Sequence, residues 1–193
     1  MAFIDESYET RGDSTFYILA IALVEPRRLQ DVRERLRLLN GGHALHASEL
    51  YSAKQFDLLR TGIGLVAQDH DNADLVVTSP LLPDDSSGEI ARQNCLRLAL
   101  VAIQAEFDTD LFVLDSRNLR DADESDRRTM RDLRKSGELR RATNLRHLWP
   151  SEEILLSLPD LIAWSYRQVI TKDDTQWFDP LAESVAVTIV DVK

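Results

Sequence analysis

Residues 1–24, MAFIDESYETRGDSTFYILAIALV, contain two apolar segments that predict a pair of β-strands. The first segment is 1–7 and the second is 14–24, and the polar stretch 8–13 between them is rich in turn formers. Because only a short turn joins the segments, we expect the two strands to pair antiparallel. The longest apolar run, Phe16–Val24, is too short for a membrane span, which needs about 20 residues.

Helices and strands alternate along the rest of the chain. A helical insertion near 25–40 is predicted by apolar residues at spacings of three and four. The further predicted elements are a short strand at 43–47, helices at 52–66 and 88–107, strands at 73–78 and 111–114, a basic helical segment near 121–141, a strand at 143–149, a helix at 159–170, and a tail at 184–192 that suits strand or loop. The order predicts one α/β domain over 1–193, with helices on both faces of a mixed sheet.

Composition narrows the range of functions. The 23 basic and 33 acidic residues give a net charge of −10, which excludes a protein that coats nucleic acid or membrane by bulk charge. With Cys95 as the single cysteine there is no internal disulfide, which is typical of a reducing compartment and predicts a cytoplasmic protein. Four histidines and one cysteine cannot form a zinc site of the usual spacing, so carboxylates would hold any metal.

Three acidic residues stand at positions where apolar neighbours predict burial, and Glu49 is a fourth candidate ligand. Asp5 lies inside the first strand, Asp115 ends an apolar strand, Asp160 begins the apolar final helix, and Glu49 lies in the segment LHASEL. Burying an ionised, unpaired carboxylate costs roughly several kcal/mol of folding free energy. Where several acids converge, a divalent cation is the most direct partner for them. The layout predicts that these acids meet at one edge of the sheet.

Each acid also has an ordinary structural explanation. Asp5 can face water on an edge strand, and Asp115 can cap the following turn. Asp160 can interact favourably with the helix dipole in the first helical turn. Glu49 can be a solvated residue before a helix.

Three motifs in order resemble a large bacterial and phage family of uncharacterised proteins. The start Asp5-Glu6-Ser7 with its following apolar strand resembles that family's Asp-Glu-Ser-Gly-Asp motif. The segments 46–50 (HASEL) and 158–164 (LPDLIAW) resemble its His-small-acid motif and its C-terminal Ala-Asp-Leu-hydrophobic-Ala-Trp helix. Together the motifs span most of the chain.

The family is similar to the ribonuclease H-like superfamily of nucleases, integrases and resolvases. The resemblance implies a five-stranded mixed sheet flanked by helices, and hydrolysis of a phosphodiester with two Mg²⁺ or Mn²⁺ ions. It implies metal ligation and catalysis by Asp5, Glu49, Asp115 and Asp160. His46 is a candidate to orient a ligand or protonate a leaving group, although a packing role suits it equally. Strand alternation places Glu6 on the opposite face of the strand from Asp5. Glu6 and Ser7 are expected to contact the metal ligands without binding the metal themselves.

A nucleic-acid substrate needs a basic surface, and residues 127–147 carry a local charge of +6. The predicted substrate-binding residues are Arg127, Arg128, Arg131, Arg134 and Lys135. The alternative is a solvated helix stabilised by pairs such as Arg128 with Asp132.

The sequence departs from the family pattern at Tyr8, where the family has glycine, and at Glu9, where it has aspartate. The second interpretation is therefore a catalytically inactive ribonuclease H-like domain that binds nucleic acid or a protein partner. A homodimer formed through the final helix or the tail is compatible with both.

Overall fold

The computed structural model describes residues 1–10, 15–69, 74–116 and 120–190. Its strands are β1 (Ala2–Glu9), β2 (Phe16–Leu23), β3 (Asp74–Pro80), β4 (Leu111–Asp115), β5 (Asn144–Leu148) and β6 (Val185–Ile189). They form one mixed sheet in the order β5-β4-β1-β2-β3-β6. The pairs β1–β2 and β2–β3 are antiparallel, whereas β1–β4, β4–β5 and β3–β6 are parallel. The predicted α/β class with a mixed sheet is confirmed.

The helices connect these strands and cover the sheet. They are α1 (Leu29–Leu39), α2 (Ala47–Ser52), α3 (Phe56–Asp69), α4 (Glu89–Phe107), α5 (Arg120–Ser136) and α6 (Ser157–Lys172), with single 3-10 turns at Pro26–Arg28, Ile154–Leu156 and Asp179–Leu181. Helix α6 begins two residues before its predicted start at Pro159. Proline is tolerated in the first turn because no backbone N–H there has an intrahelical partner. None of the helices in the described ranges has the length and apolar character that a membrane span requires.

Alternation along the strands sends side chains into two cores. Phe3 packs in one buried cluster, with side chains from α1, α3 and α6, and Ile4 packs in the other, with side chains from α4 and α5. We call these sides of the sheet the α6 face and the α4 face. Both faces are covered, which explains why β2 is buried along its whole length and shows no polar alternation.

Two predictions about the strands are wrong, and the predicted N-terminal hairpin is confirmed. The expected five-stranded sheet has six strands in the described ranges, because Val185–Ile189 of the tail pairs with β3 in parallel. Residues 43–46 form no strand, and Ala47 already begins α2. The N-terminal hairpin is confirmed, with β1 continuing to Glu9, but 11–14 of its turn lie outside the described residues.

Candidate functional site

Asp5 of β1 and Asp115 of β4 lie on neighbouring parallel strands and on the same face of the sheet. The residues two positions earlier, Phe3 and Val113, are partners in the β1–β4 pair, and both lie in the cluster of the α6 face. Since side chains alternate with a period of two, both aspartates belong to the α6 face. Asp5 is only 9% exposed, and Asp115 is half-buried.

Asp160 reaches the same face from the first turn of α6, which packs on β1 and β2. Its Oδ2 accepts a hydrogen bond from the Ala47 N–H at 2.7 Å, which joins α6 to the start of α2. The Oδ1 of Asp5 accepts one from the Glu6 N–H, also at 2.7 Å. The Oδ1 of Asp115, by contrast, is buried and has no hydrogen-bond partner among the described residues.

Burial is the main cause that raises the pKa of all three aspartates, and nearby negative charges raise each of them further. Desolvation is the main cause at Asp5, whose pKa lies well above its ordinary value, and the charges of Asp160 and Asp115 raise it further. Burial likewise raises the pKa of Asp160 to about 6, against the hydrogen bond from Ala47. Burial also raises the pKa of Asp115. The three carboxylates therefore share one electrostatic environment.

His46 and Glu49 approach these aspartates from α2. His46 directly precedes the helix and is half-buried, and its charge lowers the pKa of both Asp115 and Asp160 against the larger effect of burial. Glu49 is exposed, and its charge contributes to raising the pKa of Asp160. The structure thus places Asp5, Asp115 and Asp160 on the α6 face, with His46 and Glu49 near enough for their charges to act on Asp160.

A cleft of about 340 Å³ opens beside Asp5 and Asp160. It is lined by Asp5, Glu6, Ser7, Ser48, Asp160, Ala163, Trp164 and Arg167. Arg167 Nη1 donates to the Tyr8 carbonyl at 3.1 Å and to Ser7 Oγ at 3.4 Å, and its Nη2 donates to Glu9 Oε2 at 3.1 Å. Arg167 therefore ties the end of β1 to α6 and adds a cation to a cleft of carboxylates.

A buried ion cluster lies behind β1, on the α4 face, and sequence reasoning missed it. Arg92 is 1% exposed, and its Nε donates to Glu6 Oε2 at 2.8 Å. Its two terminal nitrogens donate to the two oxygens of Asp126, one of them at 2.7 Å. His147 Nε2 lies 2.8 Å from the same carboxylate. In the sequence, the sign of this cluster is that Arg92 stands one turn before the apolar residues 95–96, on the helix face that is predicted to be buried.

The basic helix α5 does not enter the cleft. It packs on the α4 face, and in the described part of the chain none of its residues lines the cleft. Arg131 donates to Glu124 at 2.9 Å, and Arg134 turns inward to a backbone carbonyl. Asp132 pairs with Arg97 of α4 at 3.8 Å, which differs from the pair expected within the helix. The other predicted cations are exposed: Arg127, Arg128 and Lys135.

Comparison with known proteins adds no assignment. No protein-family model matches the chain, and no curated protein matches it. Within the described ranges no group of three or more His, Cys, Asp or Glu side chains is already arranged to hold a metal ion. The family resemblance stays a prediction.

Proposed function

We propose that this protein is a metal-dependent nuclease or phosphodiesterase that acts on DNA or RNA. The observation that carries the proposal is the convergence of Asp5, Asp115 and Asp160, from two strands and a helix, on the α6 face. Each carboxylate is desolvated near like charges, so its ionised form is costly without a cation. Mg²⁺ and Mn²⁺ are the hard ions that such oxygen ligands prefer.

The donor set fits divalent ions. The Oδ1 of Asp115 is an acceptor with no hydrogen-bond partner among the described residues, and a metal would satisfy it. Asp5 and Asp160 each accept a backbone N–H through one oxygen, which leaves the other for a ligand. Two bound ions would supply an activated water and stabilise the leaving oxygen of a phosphodiester.

The chain's own residues would bind the substrate and handle its protons. Arg167, in the cleft, is suited to pair with a phosphate oxygen. His46, whose charge acts on both Asp115 and Asp160, is the candidate to protonate the leaving oxygen. Glu49 would complete the ligand set from α2.

The finer fold assignment, ribonuclease H-like, is part of the same proposal. It is supported by an antiparallel N-terminal hairpin, a parallel inner strand and helices on both faces. The acids lie on the first strand, an inner strand and the last helix, as the resemblance implies. Strand β6 is an addition to that pattern.

The test compares wild type with Asp5→Asn and Asp160→Asn in thermal unfolding and in cleavage of labelled DNA and RNA. At 100 times its dissociation constant, Mn²⁺ should add about 2.7 kcal/mol to wild-type stability, a rise of roughly 5–10 °C. Both variants should lose this rise and all cleavage. In EDTA, Asp5→Asn should melt above wild type, because it removes a desolvated charge while its amide oxygen still accepts the Glu6 N–H.

The matched control is Asp57→Asn, which neutralises an exposed aspartate on α3 and should keep both the Mn²⁺ response and the cleavage. Mn²⁺-dependent cleavage that survives in Asp5→Asn and Asp160→Asn would remove these residues from the site.

A binding domain without catalysis is the second candidate. Tyr8, at the position of the family's glycine, stacks on Tyr17 with ring centroids 6.0 Å apart and is 47% exposed, so the local surface differs from the family pattern. A wild type that binds nucleic acid or a protein partner but neither responds to Mn²⁺ nor cleaves would identify this function. The homodimer and the cytoplasmic location stay predictions.

A further inference from the structure

Arg167 spans the cleft from α6 to β1. Its Nη1 donates to the Tyr8 carbonyl and to Ser7 Oγ. Its Nη2 donates to Glu9 Oε2, and its Cζ lies 5.9 Å from the centroid of the Phe16 ring. These contacts leave the Nε–H and one Nη2 proton for a ligand. The guanidinium is therefore fixed in direction and still has two neighbouring donors from which a phosphate can accept.

The guanidinium of Arg167 stands apart from the aspartates along both walls of the cleft. Arg167 follows Asp160 by two turns of α6, a rise of about 10 Å along the helix axis. On β1, its partners Ser7 and Glu9 lie two and four residues beyond Asp5, which is roughly 7–13 Å along the strand. The guanidinium therefore lies roughly 10 Å beyond the carboxylates, measured along the cleft.

That separation matches the spacing of successive phosphates in a nucleic-acid chain. A phosphate oxygen on a metal held by Asp5 would lie within about 5 Å of the carboxylate, the sum of two metal–oxygen distances. The next phosphorus atom along the chain is six bonds away, which spans about 7 Å when extended, on the scale of about 3.8 Å for three bonds of a peptide chain. A chain that lies along the cleft therefore brings the phosphate next to the scissile one to Arg167.

We propose that Arg167 binds the phosphate next to the one that is cut, so that the preferred substrate is an oligonucleotide or a longer chain and not a phosphodiester with a single phosphate. The proposal rests on the nuclease function proposed above and names its substrate class. Arg167 is the only cation among the described residues that line the cleft, where Asp5, Glu6 and Asp160 are also present. Because those carboxylates repel a phosphate chain, holding the second phosphate depends on Arg167.

The test compares three forms of one dinucleotide, in the deoxy and the ribo series: without a terminal phosphate, with a 5′-phosphate and with a 3′-phosphate. The measured quantity is kcat/KM for cleavage of the internal bond in Mn²⁺. The advantage of a second phosphate is the ratio of kcat/KM for a phosphorylated form to that for the unphosphorylated form. The proteins are wild type, Arg167→Ala, Arg167→Lys and the control Glu9→Gln. The control removes the ion pair between α6 and β1 but keeps the guanidinium.

In wild type, one of the two terminal phosphates should raise kcat/KM roughly 10-fold. This is the lower end of the range for a charge-assisted hydrogen bond, because the Arg167 side chain is 33% exposed. Arg167→Ala should reduce the advantage to about one, and Arg167→Lys should keep only part of it, since an ammonium lacks the planar fork of the guanidinium. Glu9→Gln should retain the wild-type advantage. The form that benefits shows on which side of the scissile bond Arg167 lies.

Three kinetic results would overturn the proposal and leave the nuclease function standing. The first is an equal kcat/KM for all three forms in wild type, and the second is an advantage that survives in Arg167→Ala. The third is an advantage that Glu9→Gln loses to the same extent as Arg167→Ala. In that case the connection between α6 and β1, and not the guanidinium, is what matters.

A binding measurement separates this proposal from the proposed function. In Ca²⁺, each dinucleotide competes with a labelled 12-nucleotide single strand, and fluorescence anisotropy reports binding without the need for cleavage. If wild type cleaves nothing in Mn²⁺, the nuclease function is lost. Tighter binding of a phosphorylated form that disappears in Arg167→Ala still supports the phosphate site. Equal competition by the three forms, or no binding of the labelled strand, overturns the phosphate site as well.

Discussion

A single buried aspartate remote from the cleft couples this protein's stability to pH. Asp74, at the start of β3, is 3% exposed and accepts the Leu23 N–H at 3.1 Å. Burial raises the pKa of Asp74 to about 7 despite that hydrogen bond. In the unfolded chain the pKa is near its ordinary value of about 4, so the folded state binds more protons in between. The contribution of Asp74 to stability therefore falls as pH rises from about 4 to about 7.

Asp74→Asn should remove this penalty, because the amide is neutral and its oxygen can still accept from Leu23. Relative to wild type, the variant should gain roughly 1–3 kcal/mol more at pH 8 than at pH 5, at about 1.4 kcal/mol per pKa unit. Urea unfolding at the two pH values measures the difference. The exposed Asp57→Asn is the control, and an equal gain at both pH values for Asp74→Asn would show that its charge is not what destabilises the fold.

At the scale of the element, the buried ion cluster joins β1, α4, α5 and β5. Arg92→Met should leave the carboxylates of Glu6 and Asp126 buried without their cation, at a cost of about 3–5 kcal/mol in the free energy of unfolding. Arg97→Ala, on the same helix but with a side chain 39% exposed and 3.8 Å from its partner, should cost less than about 0.5 kcal/mol. Chemical denaturation of both variants measures the contrast, and equal losses would mean that the cluster is not what secures these elements.

Two glycines of α3 make a second matched pair. A Cβ at Gly62 would lie 3.1 Å from a Leu45 methyl and 3.2 Å from a Leu161 methyl, whereas a Cβ at Gly64 would meet nothing within 4 Å. Gly64→Ala should therefore stabilise the protein by roughly 0.5–1 kcal/mol through helix propensity. Gly62→Val should destabilise it by roughly 1–3 kcal/mol, because it pushes α3 away from α6. Thermal unfolding of both variants shows whether each substitution raises or lowers stability. A stabilising Gly62→Val would mean that α3 and α6 can separate at little cost.

For the whole molecule, we expect stability in EDTA to peak at about pH 4, where the aspartates of the unfolded chain titrate. Above that pH, the raised pKa values of Asp5, Asp74 and Asp160 mean that ionising these groups costs stability. On the acid side, Asp126 acts in the opposite direction. Burial raises its pKa, but the hydrogen bonds from Arg92 and His147 outweigh burial and lower it, so its stabilising effect is lost as pH falls.

Mn²⁺ should shift the stability maximum to higher pH. Carboxylates bind a metal in their deprotonated form, so the rise in Tm on adding Mn²⁺ should grow as pH passes the Asp160 pKa of about 6. Tm measured from pH 4 to pH 9, with EDTA and with Mn²⁺, tests this. A rise of the same size at pH 5 and pH 8 would argue against ligation by these aspartates.

Local patterns were sufficient for most of the elements. The N-terminal hairpin follows from two apolar segments and a short turn, and α1 follows from the spacing of its apolar residues, because neighbours along the chain determine both. The same reasoning failed at 43–47, where α2 begins at Ala47, whose N–H donates to Asp160, a residue 113 positions away. Local patterns also left the tail as either strand or loop, because β6 forms through its pairing with β3, which is distant in the sequence.

The sequence by itself determined the α/β architecture and singled out the acids, since an aspartate inside an apolar segment is visible without any structure. Only the tertiary structure decided which charges meet. It paired Glu6 with Arg92, 86 residues along the chain, and set α5 on the face away from the cleft. It also aligned Leu148 of β5 with Asp115 of β4. Such pairings depend on strand register and helix docking, which spacing along the chain does not encode.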